Sequence, residues 1–392
     1  MKPKVAIIVQ RYGPDINGGA EYECRQIAEL MNDVWEIDVL TTCATDYMTW
    51  KDDYPKGKEV INSVSVYRFP VRKPRNVRMF NRISETVLHV PHTYDDEIQW
   101  MKAQGPDSPD MLDFLSRNKD NYDIFIFFTY LYATTFWGLP IVSEKSLLVP
   151  TAHDEPPIYL SIFREFFKKP KGFVFNTLEE KHLLLKLFNL DCKVSDIIGV
   201  GIDPLKYSKT ESDYPKKINA DYVVYVGRVD PSKGCRELFE YWEKYKKNNP
   251  SSLKLLLVGG VKMDIPDRND VVSLGFVGED EKNSMIANAR CLIMPSPYES
   301  LSIVLLESWI CGRPVLVNGK CQVLKGQVRR SNGGLWYDSC EEFSACLDFL
   351  LQGKEVTGKM VLSGRRYAEE NYNPTTVKQK YQKLTEWLLK NL

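Results

Sequence analysis

Short, continuous apolar runs recur along the chain. Each is followed by a polar turn and then by apolar residues at helical spacing. The first, Val5 to Val9, has the character of a strand buried on both faces. A loop over 11–17 contains Gly13-Pro14, and Gly18-Gly19 then opens a helix with an apolar face of Ala20, Cys24, Ile27, Ala28 and Met31. Residues 37–40 read as a second strand, and the alternating 64–69 as a third. Residues 124–142 carry no charge, approaching the length of a membrane span. The β-type start Ile124-Phe-Ile-Phe-Phe128 and the breakers Gly138 and Pro140 instead predict a buried strand running into a helix. Strands over 146–150, 172–175 and 197–201, with a helix over 178–188, continue the alternation. Repeated strand–helix units imply a parallel, doubly wound sheet.

Residues 203–220 are polar and lack periodicity, which places a domain boundary there. The pattern then restarts. Strands are expected over 222–226, 253–258, 271–274, 291–294 and 315–317, and helices over 236–245, 280–289, 302–311 and 341–351. The predicted domains are 1–204 and 205–374, and Pro374 separates off a final amphipathic helix over 375–392. The fold class is α/β, with two Rossmann-like domains.

Composition narrows the function. At 392 residues, 43% hydrophobic and 12% aromatic, the chain can bury a sizeable core. Its 52 basic and 52 acidic residues cancel, which argues against a dedicated nucleic-acid binder. Nine scattered cysteines without a Cys-x-x-Cys pair suit free thiols in a reducing compartment rather than a disulfide framework or a zinc site. The apolar run at the N-terminus is too short for a signal peptide. A soluble, cytoplasmic protein is expected. One local patch departs from neutrality: over 68–82, Arg68, Arg72, Lys73, Arg75, Arg78 and Arg82 interleave with Val71, Val77, Met79 and Phe80. Such a segment suits peripheral contact with anionic headgroups at the inner face of a membrane, or with a diphosphate-linked lipid, as well as it suits a solvated loop.

Four places carry candidate chemistry. Gly227-Arg228-Val-Asp-Pro-Ser-Lys233-Gly234 follows a strand and opens a helix. Two cations and helix-terminal amides there suit a diphosphate, although the Gly-Lys-Ser/Thr ending of a P-loop is absent. Taken alone, a solvated turn fits equally. Gly18-Gly19 allows close backbone approach to a ligand or forms an ordinary turn. Glu299 lies in a loop after a strand, and Glu307 lies inside the next, apolar helix. The pair suits glycosidase-like acid–base work, a grip on ligand hydroxyls, or, for Glu307, a bond to a neighbouring arginine. His153, before Asp154, is either an acid–base group or a satisfied core histidine.

Together and in this order, these residues resemble the family four retaining glycosyltransferases of the GT-B fold, also called glycosyltransferase group 1. The resemblance spans nearly the whole chain and is most specific over 222–336. It implies two Rossmann-like doubly wound domains facing a central cleft, the last helix returning to the first domain. The implied reaction moves a sugar from a nucleotide-diphospho-sugar to a hydroxyl of a glycan or lipid-linked acceptor, with retained configuration, in polysaccharide or glycoconjugate synthesis. Arg228 and Lys233 would bind the leaving diphosphate beside Gly227. Glu299 would hold the donor sugar, Glu307 the ribose, and His153 would touch the sugar near the scissile bond. Phe276 and Val277 would receive the base through their backbone. Ser300, Leu301, Ser302 and Ile303 would complete the phosphate and sugar site, and Gly18 and Gly19 the turn beside the reaction centre. No metal or other cofactor is expected. Ser300-Leu301-Ser302 replaces the glycine-rich loop common in that family, and Gly199-Val200-Gly201 replaces its Pro-Asn-Gly. A phosphorylase or epimerase on the same fold, or a non-catalytic sugar-nucleotide binder, remains an alternative.

Overall fold

The computed structural model describes residues 2–16, 18–190, 194–207, 218 and 220–391. The chain forms two compact units, Met1–Gly201 with Val377–Leu392, and Ile202–Thr376. Most of the polar stretch expected to hold the boundary, residues 208–217 and 219, lies outside the described residues, as does Cys192.

The first unit contains one sheet of eight strands. They are β1 (Lys4–Ile8), β2 (Glu36–Thr42), β3 (Gly57–Ile61), β4 (Val64–Phe69), β5 (Ile124–Phe128), β6 (Ser146–Val149), β7 (Gly172–Phe175) and β8 (Ser195–Ile197). Their order is β3-β4-β2-β1-β5-β6-β7-β8, with every pairing parallel except the β3–β4 hairpin. The continuous apolar runs became the central strands: all five residues of β5 are buried. The hairpin strand β3 was not expected. Its residues Gly-Lys-Glu-Val-Ile are exposed or half-buried at an edge, so no buried face marks them in the sequence.

Helix Gly19–Met31 buries Cys24, Ile27, Ala28 and Met31 as its spacing predicts. Ala20, assigned to that face, is only half-buried, and Glu21 and Glu23 are buried instead. Both acids have polar partners, described below, so their burial is compatible with charge and hydrogen bonding. The uncharged stretch after β5 forms the short helix Ala133–Gly138. Among the described residues no helix is long and apolar enough to cross a membrane. The terminal helix Pro374–Lys390 adds Val377, Tyr381, Leu384 and Leu388 to the core of the first unit, beside Val5, Ile7 and Trp35.

The structure corrects the basic segment. Arg68 is buried on β4: it bonds Glu59, donates to the Tyr12 carbonyl at 2.9 Å and lies 3.9 Å above the Tyr54 ring. Arg75 is half-buried, donates to the Gln104 carbonyl and stacks on Trp50 and Phe80. Arg72 pairs with Asp107 at 2.6 Å. Arg78 and Arg82 are exposed on helix Val77–His89, and Lys73 is exposed just before it. Alternation of basic and apolar residues was therefore partly the signature of a buried strand end.

The second unit has six parallel strands: β9 (Tyr222–Val226), β10 (Lys254–Val258), β11 (Val271–Gly275), β12 (Leu292–Met294), β13 (Val315–Asn318) and β14 (Gly334–Tyr337). Their order is β11-β10-β9-β12-β13-β14. In each sheet the direction of winding reverses once, between β1 and β5 and between β9 and β12. Open α/β sheets bind ligands beyond the carboxyl ends of the strands at such reversals. Cysteines 24, 43, 235, 291, 311, 321, 340 and 346 are free and buried or half-buried.

Candidate functional site

The reversal in the second unit brings together the loops after β9 and β12, which contain most of the predicted donor-site residues. Gly227 ends β9 at φ 152°, where a Cβ would meet the Tyr225 hydroxyl at 2.9 Å; that hydroxyl donates to the Arg228 carbonyl at 2.7 Å. Asp230 then folds the turn by accepting from the Ser232 amide at 2.8 Å and lies 3.2 Å from Arg228. Gly234 closes it at φ 75°, immediately before helix Cys235–Asn248. A Cβ there would lie 2.1 Å from the Pro295 carbonyl, so glycine lets the turn press against the loop leaving β12. The same carbonyl accepts from the Asn318 side chain at 2.9 Å.

This approach sets Lys233 against Glu299, Nζ to Oε1 at 2.8 Å. The contact spans the reversal: one residue follows β9, the other β12. Both side chains are partly open, at 33% and 14% exposure, so a ligand can exchange for either partner. Beyond Glu299 come Ser300, then the buried Leu301 and Ser302. Ser302 adopts φ 66°, ψ 84° as the residue preceding helix Ile303–Ile310. That left-handed residue, costly for a side chain bearing a Cβ, turns the backbone into the helix. The Leu305 amide donates to the Ser302 carbonyl at 3.2 Å, and the positive N-terminal end of the helix suits an anionic oxygen.

Glu307 lies inside that helix and is 1% exposed. Its Oε1 accepts from the Tyr207 hydroxyl and from Lys282 Nζ, both at 2.9 Å. Its Oε2 is buried without a hydrogen-bond donor among the described residues. Lys282 also bonds Glu279 at 2.7 Å. Burial works against the Lys282 charge, but the Glu307 and Glu279 carboxylates outweigh it and hold the ammonium above the ordinary lysine range. The neighbouring arginine considered for Glu307 is thus replaced by a lysine and a tyrosine. Sequence reasoning missed both. Lys282 belongs to the helix expected over 280–289, to which no role was given, and Tyr207 lies within the polar stretch over 203–220 read as the domain boundary.

At the next strand end Phe276 is 71% exposed and Val277 half-buried. The Phe276 ring lies against Gly260, where a Cβ would approach it to 2.9 Å.

In the first unit the residues after β1 and β6 are placed separately. Gly18 precedes helix Gly19–Met31, and a Cβ there would meet Glu21 Oε2 at 2.2 Å. The glycine is required by Glu21, whose Oε1 receives Arg11 Nε and Nη2 at 2.9 and 2.6 Å in a buried pair. At Gly19 there is open space. His153 is half-buried, with Nδ1 3.2 Å from Glu155 Oε1. Among the described residues no group of three or more His, Cys, Asp or Glu has the arrangement of a metal site.

These two Rossmann-like sheets, parallel except for the β3–β4 hairpin, are those of the GT-B fold, and solved structures agree. The structure is similar over 97% of its length to the Anabaena HepE protein in complex with UDP and glucose, over 98% of that chain, at TM-score 0.71 and 15% identity. Similarity to sucrose-phosphate synthase of Thermosynechococcus elongatus covers 100% of both chains at TM-score 0.73 and 15% identity. Residues 220–352, containing the whole β9–β12 site, match the family model described as "Glycosyl transferases group 1". Among curated relatives, an uncharacterised glycosyltransferase of Methanocaldococcus jannaschii is 24% identical over 85% of this chain and 84% of its own. A Campylobacter jejuni N,N'-diacetylbacillosaminyl-diphospho-undecaprenol alpha-1,3-N-acetylgalactosaminyltransferase is 23% identical over 59% of this chain and 64% of its own. A D-inositol 3-phosphate glycosyltransferase of Rhodococcus opacus is 24% identical over 59% of each, so the chain spans about three fifths of that relative.

Proposed function

We propose that this protein is a retaining glycosyltransferase. It would move a sugar from a nucleotide-diphospho-sugar to a hydroxyl of a glycan or lipid-linked acceptor, in polysaccharide or glycoconjugate synthesis. The observation that supports this best is the Lys233–Glu299 contact across the β9–β12 reversal, directly before the helix entered at Ser302. A cation and a carboxylate thereby meet in one loop cluster beside the N-terminus of that helix, which supports a donor site there. The group 1 match covers the same residues.

Arg228, Lys233 and the Leu301–Ile303 amides then stabilise the charge that develops on the departing diphosphate, the main electrostatic demand of the reaction. Glu299 leaves Lys233 to accept from the donor sugar's hydroxyls. Glu307, with Oε2 lacking a donor among the described residues, accepts from the ribose. Phe276 and Val277 receive the base. In the first unit His153 and Gly18-Gly19 take the sugar-side roles implied by the resemblance. These cations and amides supply the charge stabilisation without calling on a metal. The HepE complex with UDP and glucose supports the donor class, and the Campylobacter relative's name supports a lipid-linked acceptor. A lipid-linked acceptor also gives the exposed Arg78, Arg82 and Met79 a role at an anionic membrane face.

A thermal-shift screen over nucleoside diphosphates and their sugars tests this directly. A ligand at 100 times its Kd stabilises the native state by about 2.7 kcal/mol. At least one nucleotide-sugar should raise Tm, and transfer assays with that donor should show an anomerically retained product by NMR. Glu299→Ala should abolish transfer but keep nucleoside-diphosphate binding, since it frees Lys233. If no nucleotide-sugar shifts Tm, or Glu299→Ala transfers normally, the reading fails.

A further inference from the structure

Beneath the glycine turn of the first unit a polar cluster interrupts an apolar core. Glu23 belongs to helix Gly19–Met31, Asn176 follows β7, and Glu180 lies in the first turn of helix Leu178–Phe188. Their exposures are 3%, 0% and 1%. A buried carboxylate needs donors. Glu180 has them: Oε1 accepts from the Ala152 amide and Oε2 from the Asn176 amide, both at 2.6 Å. Both oxygens are used as acceptors, the role of an ionised carboxylate.

Glu23 differs. Its Oε2 accepts from Asn176 Nδ2 at 2.9 Å, but among the described residues its Oε1 has no partner. Asn176 Oδ1 has none either. The two orphaned atoms are both acceptors, and they belong to the two groups already joined by one bond. A proton on Oε1 turns one acceptor into a donor and satisfies both. Acid and amide then close a ring of two hydrogen bonds, Nδ2–H to Oε2 and Oε1–H to Oδ1. Left unsatisfied, each buried acceptor would lose the hydrogen bonds it makes to water in the unfolded chain without replacement.

We propose that Glu23 carries this proton in the folded protein, and that the Glu23–Asn176 ring, continued by Glu180, positions the segment bearing His153. The chain of contacts is short. Helix Gly19–Met31 is tied through the ring to Asn176, whose amide holds Glu180, which in turn grips Ala152, the neighbour of His153. Thr151 just before it adopts φ 48°, a strained conformation that needs external support.

The surroundings favour the protonated form. Burial, with the Glu180 charge adding, pushes the Glu23 carboxyl up to about 8 against the Asn176 bond. Facing it are Cys24 on its own helix, Glu180, and Tyr381 from the terminal helix. Burial holds the Cys24 thiol and the Tyr381 hydroxyl well above their ordinary values, with Glu23 adding to each, so both stay neutral. Glu180 is pushed up to about 7 by burial, while the Asn176 and Ala152 amides and His153 pull it down. With two amide donors, it is the ionised member of the pair. A carboxyl raised in the folded state contributes stability fully below the ordinary carboxylate range, and that stability is lost as pH rises toward about 8.

Glu23→Gln supplies the same ring without a titrating proton, because its carboxamide donates to Oδ1 and accepts from Nδ2. Thermal unfolding of wild type, Glu23→Gln and Glu23→Ala between pH 5 and pH 8.5 tests the idea. Wild type should lose on the order of 5 °C relative to Glu23→Gln across that range, while Glu23→Ala should be destabilised throughout. A wild-type minus Glu23→Gln difference independent of pH overturns the proposal. Should Glu23→Gln fail to fold, glutamate 13Cδ titration of wild type decides instead. With Glu180→Gln used to assign the Glu180 signal, a second carboxyl must titrate above pH 6 and move in Asn176→Ala; if none does, the proton is not there. The positioning role rests on the transferase reading. It expects kcat of wild type, but not of Glu23→Gln, to fall toward pH 8.5 while KM for the donor holds. A kcat profile unchanged by Glu23→Gln overturns the positioning role. If no donor supports transfer, the transferase reading fails while the unfolding comparison still decides the proton.

Discussion

Glu307 shows what a single residue reveals and conceals. Its place inside an apolar helix was legible, since a carboxylate among Ile303, Leu306 and Ile310 demands a partner or a ligand. The partners were not legible, because Lys282 and Tyr207 come from distant segments with no pattern pointing toward Glu307. The geometry predicts the consequence of breaking the pair. Lys282→Met leaves a nearly inaccessible carboxylate with the Tyr207 hydroxyl as its sole donor in the described structure, and removing one partner of a buried pair costs about 3–5 kcal/mol. Urea unfolding should show that loss. The double variant Lys282→Met, Glu307→Gln should recover most of it, because no charge is then left buried. Equal stability of Lys282→Met and wild type would mean that Glu307 is not held as the structure has it.

Elements were most legible where one physical signal dominated. The continuous apolar runs gave β1, β5, β9 and β10, since a strand covered on both faces has no polar positions to hide. The clamp turn and the Glu299 loop were legible as strand-to-helix connections. The edge strand β3 was not, because it lacks a buried face, and Glu21 and Glu23 were missed because charges on a core face contradict the helical pattern they sit in. Helix Val77–His89 is an intermediate case: its charge was visible, its helical form was not. Asn76 caps it by accepting from the Met79 amide at 3.0 Å, and it leaves Arg78, Met79 and Arg82 exposed while Val87 is buried. If this face meets anionic headgroups, each arginine should contribute about 1 kcal/mol near the surface. Arg78→Glu with Arg82→Glu should then release the protein from phosphatidylserine vesicles and leave weak binding to neutral ones unchanged. Arg75→Glu is the wrong probe, because Arg75 holds the Gln104 carbonyl and losing it would damage the fold. Undiminished co-sedimentation of the double variant would remove the membrane from the picture.

At the scale of the whole molecule, the chain leaves the first unit near Gly201 and re-enters it at Val377. The break at Pro374 announced a separate last helix; the helix Pro374–Lys390 now has an energetic role. Val377, Tyr381, Leu384 and Leu388 pack in the core of the first unit, Tyr381 meets Trp35 edge-on at 6.0 Å, and Lys378 pairs with Asp33 at 2.6 Å. The exposed ion pair contributes little. The four apolar side chains contribute about 1.5–3 kcal/mol each when fully buried, so about 6–12 kcal/mol as an upper estimate. A whole domain is stable by only about 5–15 kcal/mol. Removing residues 374–392 should therefore unfold the first unit, although no predicted site residue is deleted. The second unit keeps its sheet and the Lys233–Glu299 loops, so the truncated chain should still bind nucleoside diphosphate while losing all transfer. Hydrogen exchange can separate these outcomes, with protection lost in β1 and β5 and retained in β9 and β12. Retained protection in β1 would mean that the last helix is an accessory to the first unit rather than part of its core.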